Sequence, residues 1–360
     1  MMVVGCDPHK RSITCGAVAA SSGAARGERT APAHADGFDV LLRWARALDG
    51  ERVWAIEDCR HVSGRLERFL LARGERVVRV APKLMAGART GARTRGKSDA
   101  IDALAVARAA VREGIQTLPT ARLDGGALEL RLLVDHREDL VAARTRDQAR
   151  LRWHLHDLDP TFTVPPRALD RPLWWRRVQT RLQQQPAGVR VRIAVELLEQ
   201  IRACTLRIRA LERELERLAH AHAPRLLAER GCGALTAAKL IGEIAGADRF
   251  ATDAKLARNA ATAPIPASSG NTTRHRLDRG GNRQLNCALH RLAVNKALWD
   301  PASAAYLARK QAEGKTRKEA LRCLKRVLTR RVWQLLRTPT PTQPAIQIHC
   351  NTPATTPALT

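Results

Sequence analysis

The sequence predicts an α/β domain, followed by a long helical region and a mainly α-helical C-terminal domain. Three observations support this fold class. Short apolar segments alternate with amphipathic ones over residues 1–115, two long Arg-rich stretches follow, and Gly-containing loops separate further helices from about residue 226. With 360 residues, 44% of them hydrophobic, the chain is long enough for two or three domains that each bury a core.

The first domain, residues 1–115, contains strands first and then strands alternating with helices. Four apolar runs predict strands that end at Asp7, Ser21, Glu57–Asp58 and Pro82. Helical periodicity follows in GFDVLLRWARAL and in SGRLERFLLARG, which stops at Gly74. A third helix is predicted to begin near Ser98, because serine commonly caps a helix N-terminus.

The middle of the chain, residues 116–225, is predicted to be a helical or coiled-coil region. Two stretches, GGALELRLLVDHREDLVAARTRDQARLRWHL and VRVRIAVELLEQIRACTLRIRALERELERLAHAH, have the apolar spacing of a helical hairpin or a coiled coil. Residues 159–188 between them are interpreted as irregular. The C-terminal domain covers residues 226–338, and the Thr/Pro-rich tail at residues 339–360 is predicted to be disordered.

The charge balance predicts a nucleic-acid partner. The chain has 62 Lys and Arg against 35 Asp and Glu, a net charge of +27, and such a surface attracts polyanions. Its eight cysteines occur singly without a CxxC pair, which argues against a zinc ribbon or a disulfide framework. No signal peptide and no apolar run of about 18 residues is found, so we expect a cytoplasmic, nucleoid-associated protein with no membrane partner.

Four carboxylates in the first domain form a candidate metal site. Asp7 and Glu57 lie at the carboxyl ends of predicted strands, and Asp99 and Asp102 share one face of the next helix. Converging acids repel one another, and divalent cations remove that cost. Oxygen ligands suit Mg²⁺, and two such ions can activate a nucleophile at phosphorus. Read singly, the two helix acids could be a solvated face, Asp7 a turn former and Glu57 an arginine partner.

Two further stretches suggest contacts with phosphates. PIPASSGNTTRHRLDRGGNRQLN combines small residues with closely spaced basic ones, namely Arg274, His275, Arg276, Arg279 and Arg283. It is interpreted as a phosphate-contacting loop, with an ordinary basic surface loop as the alternative. GCGALTAAKLIGEI resembles a helix-hairpin-helix in which Gly231 and Gly233 turn backbone N–H groups toward DNA. A simple helix C-cap glycine is the alternative there.

Several of these motifs together resemble the DEDD transposases of the insertion-sequence one-ten family. The N-terminal matches are VGCDPHKRSITCGAV, AIEDCRHVSGRLERFLLARGERVVRVAP and GKSDAIDALAVARA. The C-terminal matches are GCGALTAAKLIGEIAG, the serine-containing loop and YLARKQAEGKTRKEALRCLKRVLTRRVW. The resemblance implies a RuvC-like, RNase H-type fold and a metal-binding tetrad of Asp7, Glu57, Asp99 and Asp102. His9 and Lys10 match the family's D-x-H-K, where they approach a phosphate or are simply exposed.

The resemblance also implies a nucleophilic serine that forms a covalent phosphoserine link to DNA. The matching residue is Ser269, directly before the glycine, and Ser268 is its neighbouring rival. The sequence departs from common family patterns at Asn271 and Gly280, which leaves the serine in place. The family further implies DNA element ends and a target, a structured guide RNA and a homo-oligomer, a dimer or a tetramer, in which the two halves of the site can come from different subunits.

The resulting hypothesis is a DNA transposase that uses Mg²⁺ and a serine nucleophile. A non-catalytic basic scaffold for nucleic acid is an alternative of another class, and a RuvC-like junction nuclease would share the carboxylates without needing the serine loop. A tyrosine recombinase is disfavoured because the single tyrosine, Tyr306, lies in a predicted helix. No phosphate-binding Gly-rich motif follows a strand, which argues against an activity driven by nucleotide binding or hydrolysis.

Overall fold

The structure, a computed structural model, shows three consecutive regions. It describes residues 1–57, 62–81, 84–85, 98–121, 125–268, 275–278 and 280–337. The expected disordered tail therefore lies outside the described residues. Among the described helices, none is both long enough and apolar enough to cross a membrane.

The N-terminal region is built on one five-stranded mixed sheet. Its strands are β1 (Met2–Pro8), β2 (Ser12–Ala19), β3 (Ala25–Pro32), β4 (Arg52–Glu57) and β5 (Val77–Val80). The spatial order is β3-β2-β1-β4-β5; β1, β2 and β3 pair antiparallel, and β4 and β5 continue the sheet in parallel with β1. In this register Cys6 lies opposite Cys15 on β2 and beside Ile56 on β4. The predicted α/β class is confirmed for this region.

Strand β3 was not predicted from the sequence. Its sequence, ARGERTAP, is polar, and only Ala31 is buried. Charged residues are typical of an edge strand, because they discourage pairing with another chain. The β3 sequence therefore lacks the alternation of apolar and polar residues that predicts a strand. Only its hydrogen-bonded pairing with β2 identifies it as one.

Helices cover both faces of the sheet. On one face lie α1 (Ala35–Leu48) and α2 (Gly64–Leu71), which share a core with Trp54 and Ile56. On the other lies α3 (Asp99–Glu113), which packs on Val3 and Ala55. The predicted N-cap is confirmed, since Ser98 Oγ accepts a hydrogen bond from Ile101 N at 3.3 Å.

Helix α3 crosses the sheet at very short range because two glycines leave room for it. A Cβ atom at Gly5 would lie 2.2 Å from Ala103 O and 2.4 Å from Ala107 N. At Gly16 it would meet Leu104 Cδ2 at 2.9 Å. The absence of side chains at these two strand positions therefore sets the distance between α3 and the strands.

The middle region is an antiparallel helical hairpin of α4 (Gly125–Leu158) and α6 (Val189–His222). Paired contacts along its length fix this direction: Gly126 lies against the His222 ring, Arg137 pairs with Glu212 at 2.6 Å, and Asp157 pairs with Arg190. The two predicted long helices are confirmed, in the hairpin arrangement.

The segment between these helices is not wholly irregular, so that prediction was wrong. It contains a 3-10 turn at Ala168–Asp170 and the helix α5 (Pro172–Gln183), which packs on the hairpin tip. Trp175 is buried there and donates its Nε1–H to Leu169 O at 2.6 Å. The prolines of this segment hid the helix in the sequence; one of them, Pro172, begins it, a position where proline is tolerated.

The C-terminal region is mainly helical. Its helices are α7 (Pro224–Leu227), α8 (Ala234–Ile244), α9 (Asp253–Asn259), α10 (Arg283–Trp299), α11 (Pro301–Ala312) and α12 (Arg317–Arg337). Two short strands, β6 (Ile265–Pro266) and β7 (His275–Arg276), pair antiparallel. The base of the long hairpin shares the core of this region through Leu130 and Leu215. Arg249 Nε also donates at 2.7 Å to the carbonyl oxygen of Thr120, a residue after α3 that bridges to Val78 of β5.

Candidate active site

Three side chains meet where β1 ends and α3 begins. Asp7 is buried near the end of β1, 7% exposed, and His9 follows it directly after the strand. His9 Nε2 lies 3.2 Å from Asp7 Oδ2 and 3.3 Å from Asp99 Oδ1. Asp7, His9 and Asp99 each offer one possible metal-ligand atom, and these three atoms all lie within 4.8 Å of one another. This geometry could hold a metal ion.

The start of α3 brings the second acid of that helix to the same place. Asp102 N donates to Ser98 O at 3.0 Å, so the capped first turn sets the position of the side chain. Asp102 is 6% exposed. Burial raises the pKa of Asp7, the nearby charges of Asp102 and Asp99 raise it further, and His9 opposes them. The charges of Asp99 and Asp102 therefore act on the Asp7 carboxylate.

Glu57 lies one strand away from this group. It ends β4 and pairs with Val80 of β5, while the preceding residue, Ile56, pairs with Cys6. Side chains alternate along a strand, so Glu57 faces the same side as Ala55, which packs on α3. The described metal-compatible group contains Asp7 and Asp99 but not Glu57 or Asp102. Of the predicted tetrad, Asp7 and Asp99 are therefore in direct donor range of one another, and Glu57 lies at the end of the neighbouring strand.

His9 has a place that the sequence analysis did not assign. His9 and Lys10 were predicted either to approach a phosphate or to be simply exposed; the His9 ring lies between two carboxylates, and its phosphate contact stays a prediction. Lys10 is exposed in the turn between β1 and β2. The signal for His9 was the two-residue spacing from Asp7, which puts both on one face of an extended chain.

The donor chemistry is compatible with a divalent cation. Aspartate oxygens are hard ligands of the kind that Mg²⁺ and Mn²⁺ prefer, and an imidazole is a ligand more typical of Zn²⁺. Because Asp7 is buried beside two other aspartates, a cation there would also relieve their mutual repulsion. The group therefore fits a metal, with the aspartates as its principal ligands.

Divalent-cation binding at this group is expected to weaken as pH falls. The weakening should begin at a higher pH than it would for a site made of ordinary aspartates. The raised pKa of Asp7 means that protons compete early for its carboxylate. Without a cation, the contribution of Asp7 to folding stability has the opposite pH dependence and is larger at low pH. The reason is that a group that binds its proton more tightly in the folded state stabilises the fold when it is protonated. Mg²⁺ should stabilise the protein by about 2.7 kcal/mol at about a hundredfold excess over Kd.

Melting temperatures with and without MgCl₂ between about pH 8 and about pH 5 test this expectation. The Mg²⁺-dependent increase in Tm should shrink across that range. An increase of the same size at every pH would contradict the role of Asp7.

The predicted nucleophile Ser269 lies outside the described residues, as do Arg274 and Arg279. The residues around that segment are described: Ser268 is exposed, and Ile265 of β6 pairs with Arg276 of β7. Arg276 is exposed, as is Arg283 in the first turn of α10. Asn282 caps that helix by accepting from Gln284 N and Leu285 N at 2.9 and 3.1 Å.

A large cavity of about 1260 Å³ separates the sheet edge from the C-terminal region. Its described lining includes Ala81 and Leu118 on one side, and Arg276 and Arg283 on the other. None of the four predicted metal ligands is among those lining residues. The basic loop and the carboxylates therefore do not line this cavity together.

The two glycines of the predicted helix-hairpin-helix have different surroundings. Gly231 has φ +84° and packs on α10, so that a Cβ atom would lie 3.1 Å from Lys296 N. Asn295 Nδ2 also donates to Gly231 O at 3.3 Å. Gly233, in contrast, is exposed at the start of α8, with open space around it. Gly231 is thus closely packed against α10, and the phosphate contacts of Gly231 and Gly233 both stay predictions.

Comparison with known proteins gives matches over both ends of the chain. A model of the DEDD transposases of the IS110 type, described as transposase, matches residues 4–160. A second model, described as transposase of the IS116/IS110/IS902 family, matches residues 223–308.

Three curated proteins of insertion elements are also similar. The 43.6 kDa protein of IS110 from Streptomyces coelicolor is 30% identical over 271 residues, which cover 62% of this chain and 67% of that protein. The 42 kDa protein of IS900 from Mycobacterium paratuberculosis is 29% identical over 335 residues, covering 80% and 83%. The 44.8 kDa protein of IS116 from Streptomyces clavuligerus is 27% identical over 346 residues, covering 83% and 85%.

Proposed function

Because this chain belongs to the IS110 family of transposases, which cut and rejoin DNA, we propose that it does so through Ser269 and an Mg²⁺-binding carboxylate site. The proposed ligands are Asp7, Glu57, Asp99 and Asp102. The observation that carries this proposal is the meeting of Asp7, His9 and Asp99, with Asp102 close enough to raise the pKa of Asp7.

The proposed reaction has two balanced steps. Ser269 Oγ attacks a DNA phosphorus atom, a phosphodiester P–O bond breaks, and the released DNA hydroxyl takes up the proton that the serine loses. A hydroxyl of a second DNA strand then attacks the phosphoserine, forming the new phosphodiester and returning the serine. Bound Mg²⁺, with two ions proposed, would stabilise the charge that develops on the phosphate oxygens.

The residues of the chain would supply position and charge. Asp7 and Asp102 are buried, which holds their carboxylates in place, while Asp99 is exposed at the start of α3. His9, whose Nε2 lies between the carboxylates of Asp7 and Asp99, would orient them. Arg276 and Arg283 are exposed near the serine segment, where they would contact DNA or RNA phosphates, together with Arg274, Arg279 and Lys10.

The partners follow from the same proposal. DNA element ends and a target would be selected by a structured guide RNA, while arginines hold the backbones, and the net charge of +27 supports such binding. A homo-oligomer, dimer or tetramer, would let the serine segment of one copy meet the carboxylates of another. In support of this arrangement, Arg276 and Arg283 line the large cavity, whereas none of the four carboxylates does.

The serine assignment is tested by trapping a covalent adduct. We expect purified protein with labelled element-end DNA, guide RNA and MgCl₂ to give a protein–DNA band that survives denaturation. Ser269→Ala should abolish this band, because the attacking oxygen is gone. Ser268→Ala is the matched control and should retain it, since the neighbouring hydroxyl is not the proposed nucleophile.

Each other outcome identifies a different function. Loss of the band in Ser268→Ala alone would move the nucleophile by one residue. Mg²⁺-dependent cleavage that persists in both variants would favour a junction nuclease. Binding without any reaction by folded wild-type protein would favour a nucleic-acid scaffold.

A further inference from the structure

The chain enters and leaves the serine segment through a neck formed by residues 259–262 and 281–282. Asn282 N donates to Asn259 O at 2.6 Å, which closes the neck across its base. Gly281 packs on the other strand of the neck, where a Cβ atom would lie 2.5 Å from Ala261 N. Ala261 itself has φ +54°, a left-handed conformation that a non-glycine residue keeps only when its surroundings enforce it.

One side chain of α10 holds this neck from below. Asn286 Nδ2 donates to Ala260 O at 2.8 Å and to Ala261 O at 3.2 Å. On its other side, Asn286 Oδ1 accepts from Lys325 Nζ of α12 at 2.8 Å. An ammonium group has donors and no acceptor, so it requires the amide oxygen to face it and the amide nitrogen to face the neck. Lys325 therefore fixes the orientation of Asn286.

Lys325 differs from the other buried lysines of the structure. Lys239 pairs with Glu138 at 2.6 Å and Lys296 with Glu229 at 3.2 Å, whereas no ion pair of Lys325 is found within the described parts of the chain. Lys325 is 6% exposed, and burial lowers its pKa. A buried cation without a carboxylate disfavours folding, so this position is poorly explained by stability alone.

We propose that Asn286 and Lys325 are positioning residues that hold the neck, and with it the strands β6 and β7 next to the serine segment. The connection runs from Lys325 to Asn286, from Asn286 to two neck carbonyls, and from the neck to the Ile265–Arg276 pair. This inference rests on the proposed function only in taking the segment that the neck holds as the nucleophilic one.

Two variants and one matched control separate a role in positioning the neck from a general contribution to stability. Asn286→Asp still accepts from Lys325 and neutralises it, but a carboxylate cannot donate to the neck carbonyls. Lys325→Met keeps the length of the side chain and removes the ammonium that orients the amide. Lys239→Met removes a buried lysine that is paired with an acid elsewhere, so it should lower Tm and leave the neck unchanged.

We expect amide hydrogen exchange over residues 260–268 to accelerate by about tenfold or more in the first two variants, through local opening of the neck. Their Tm should be unchanged or higher, because each relieves an uncompensated buried charge. Strand joining should fall by a similar factor, with the Kd for DNA unchanged.

The outcomes distinguish this inference from the proposed function. Unchanged exchange in both variants would overturn the positioning role, as would faster exchange throughout the protein with a Tm as low as that of Lys239→Met. If the neck loosens as expected while Ser269→Ala keeps the covalent adduct, the positioning role stands and the serine assignment fails.

Discussion

Replacing Asp7 with Asn is expected to reduce DNA strand joining by about a thousandfold. The change removes the buried carboxylate that lies within 3.2 Å of His9 and next to Asp99 and Asp102. An amide keeps the size of the side chain, but it is a weaker metal ligand and carries no charge. If that costs about 4 kcal/mol of the charge stabilisation given by a metal ion, the rate falls by about three orders of magnitude.

The same variant should fold at least as well as the wild type in the absence of divalent cations. Burial and two neighbouring acids raise the pKa of Asp7, so its ionised form is disfavoured in the folded state. Neutralising the side chain removes that repulsion. The Mg²⁺-dependent increase in Tm should nevertheless become smaller, which separates loss of binding from loss of folding.

Asp36→Asn is the matched control, because that side chain is 96% exposed and belongs to α1 on the opposite face of the sheet. It should leave strand joining and the Mg²⁺-dependent Tm unchanged. Strand joining at the wild-type rate in Asp7→Asn, measured with labelled DNA in MgCl₂, would show that the carboxylate site has been misassigned.

Gly5→Ala is expected to destabilise the N-terminal region by about 3 kcal/mol, through overpacking between β1 and α3. A Cβ atom there would lie 2.2 Å from Ala103 O, a backbone atom, so the whole helix must move. Because Asp99 and Asp102 are carried by this helix, a shift also separates them from Asp7. We therefore expect a Tm about 10 °C lower, and weaker Mg²⁺ binding by the folded fraction.

Gly50→Ala provides the comparison, since no atom lies within 4 Å of a Cβ atom at that position. Thermal unfolding and Mg²⁺ titration of both variants measure the two effects. A Gly5→Ala protein with wild-type Tm and wild-type Mg²⁺ affinity would show that α3 can be displaced without consequence for the site.

Local patterns predicted most of the secondary structure. Apolar runs predicted β1, β2, β4 and β5, and helical periodicity predicted the two long helices. The failures are β3, which is polar because it is an edge strand, and α5, whose prolines suggested an irregular segment. Both depend on neighbours that are distant in sequence, because β3 is identified by pairing with β2 and α5 packs on the tip of the hairpin.

The sequence by itself determined the fold class of the N-terminal region, the start of α3 at Ser98 and the candidate carboxylates, because strand ends, caps and i, i+3 spacing are local properties. Only the tertiary structure decided that His9 joins Asp7 and Asp99, and that Asn286 and Lys325 hold the neck. Those contacts depend on how closely helices cross their neighbours. That distance is set by packing, as at Gly5, and no local spacing encodes it.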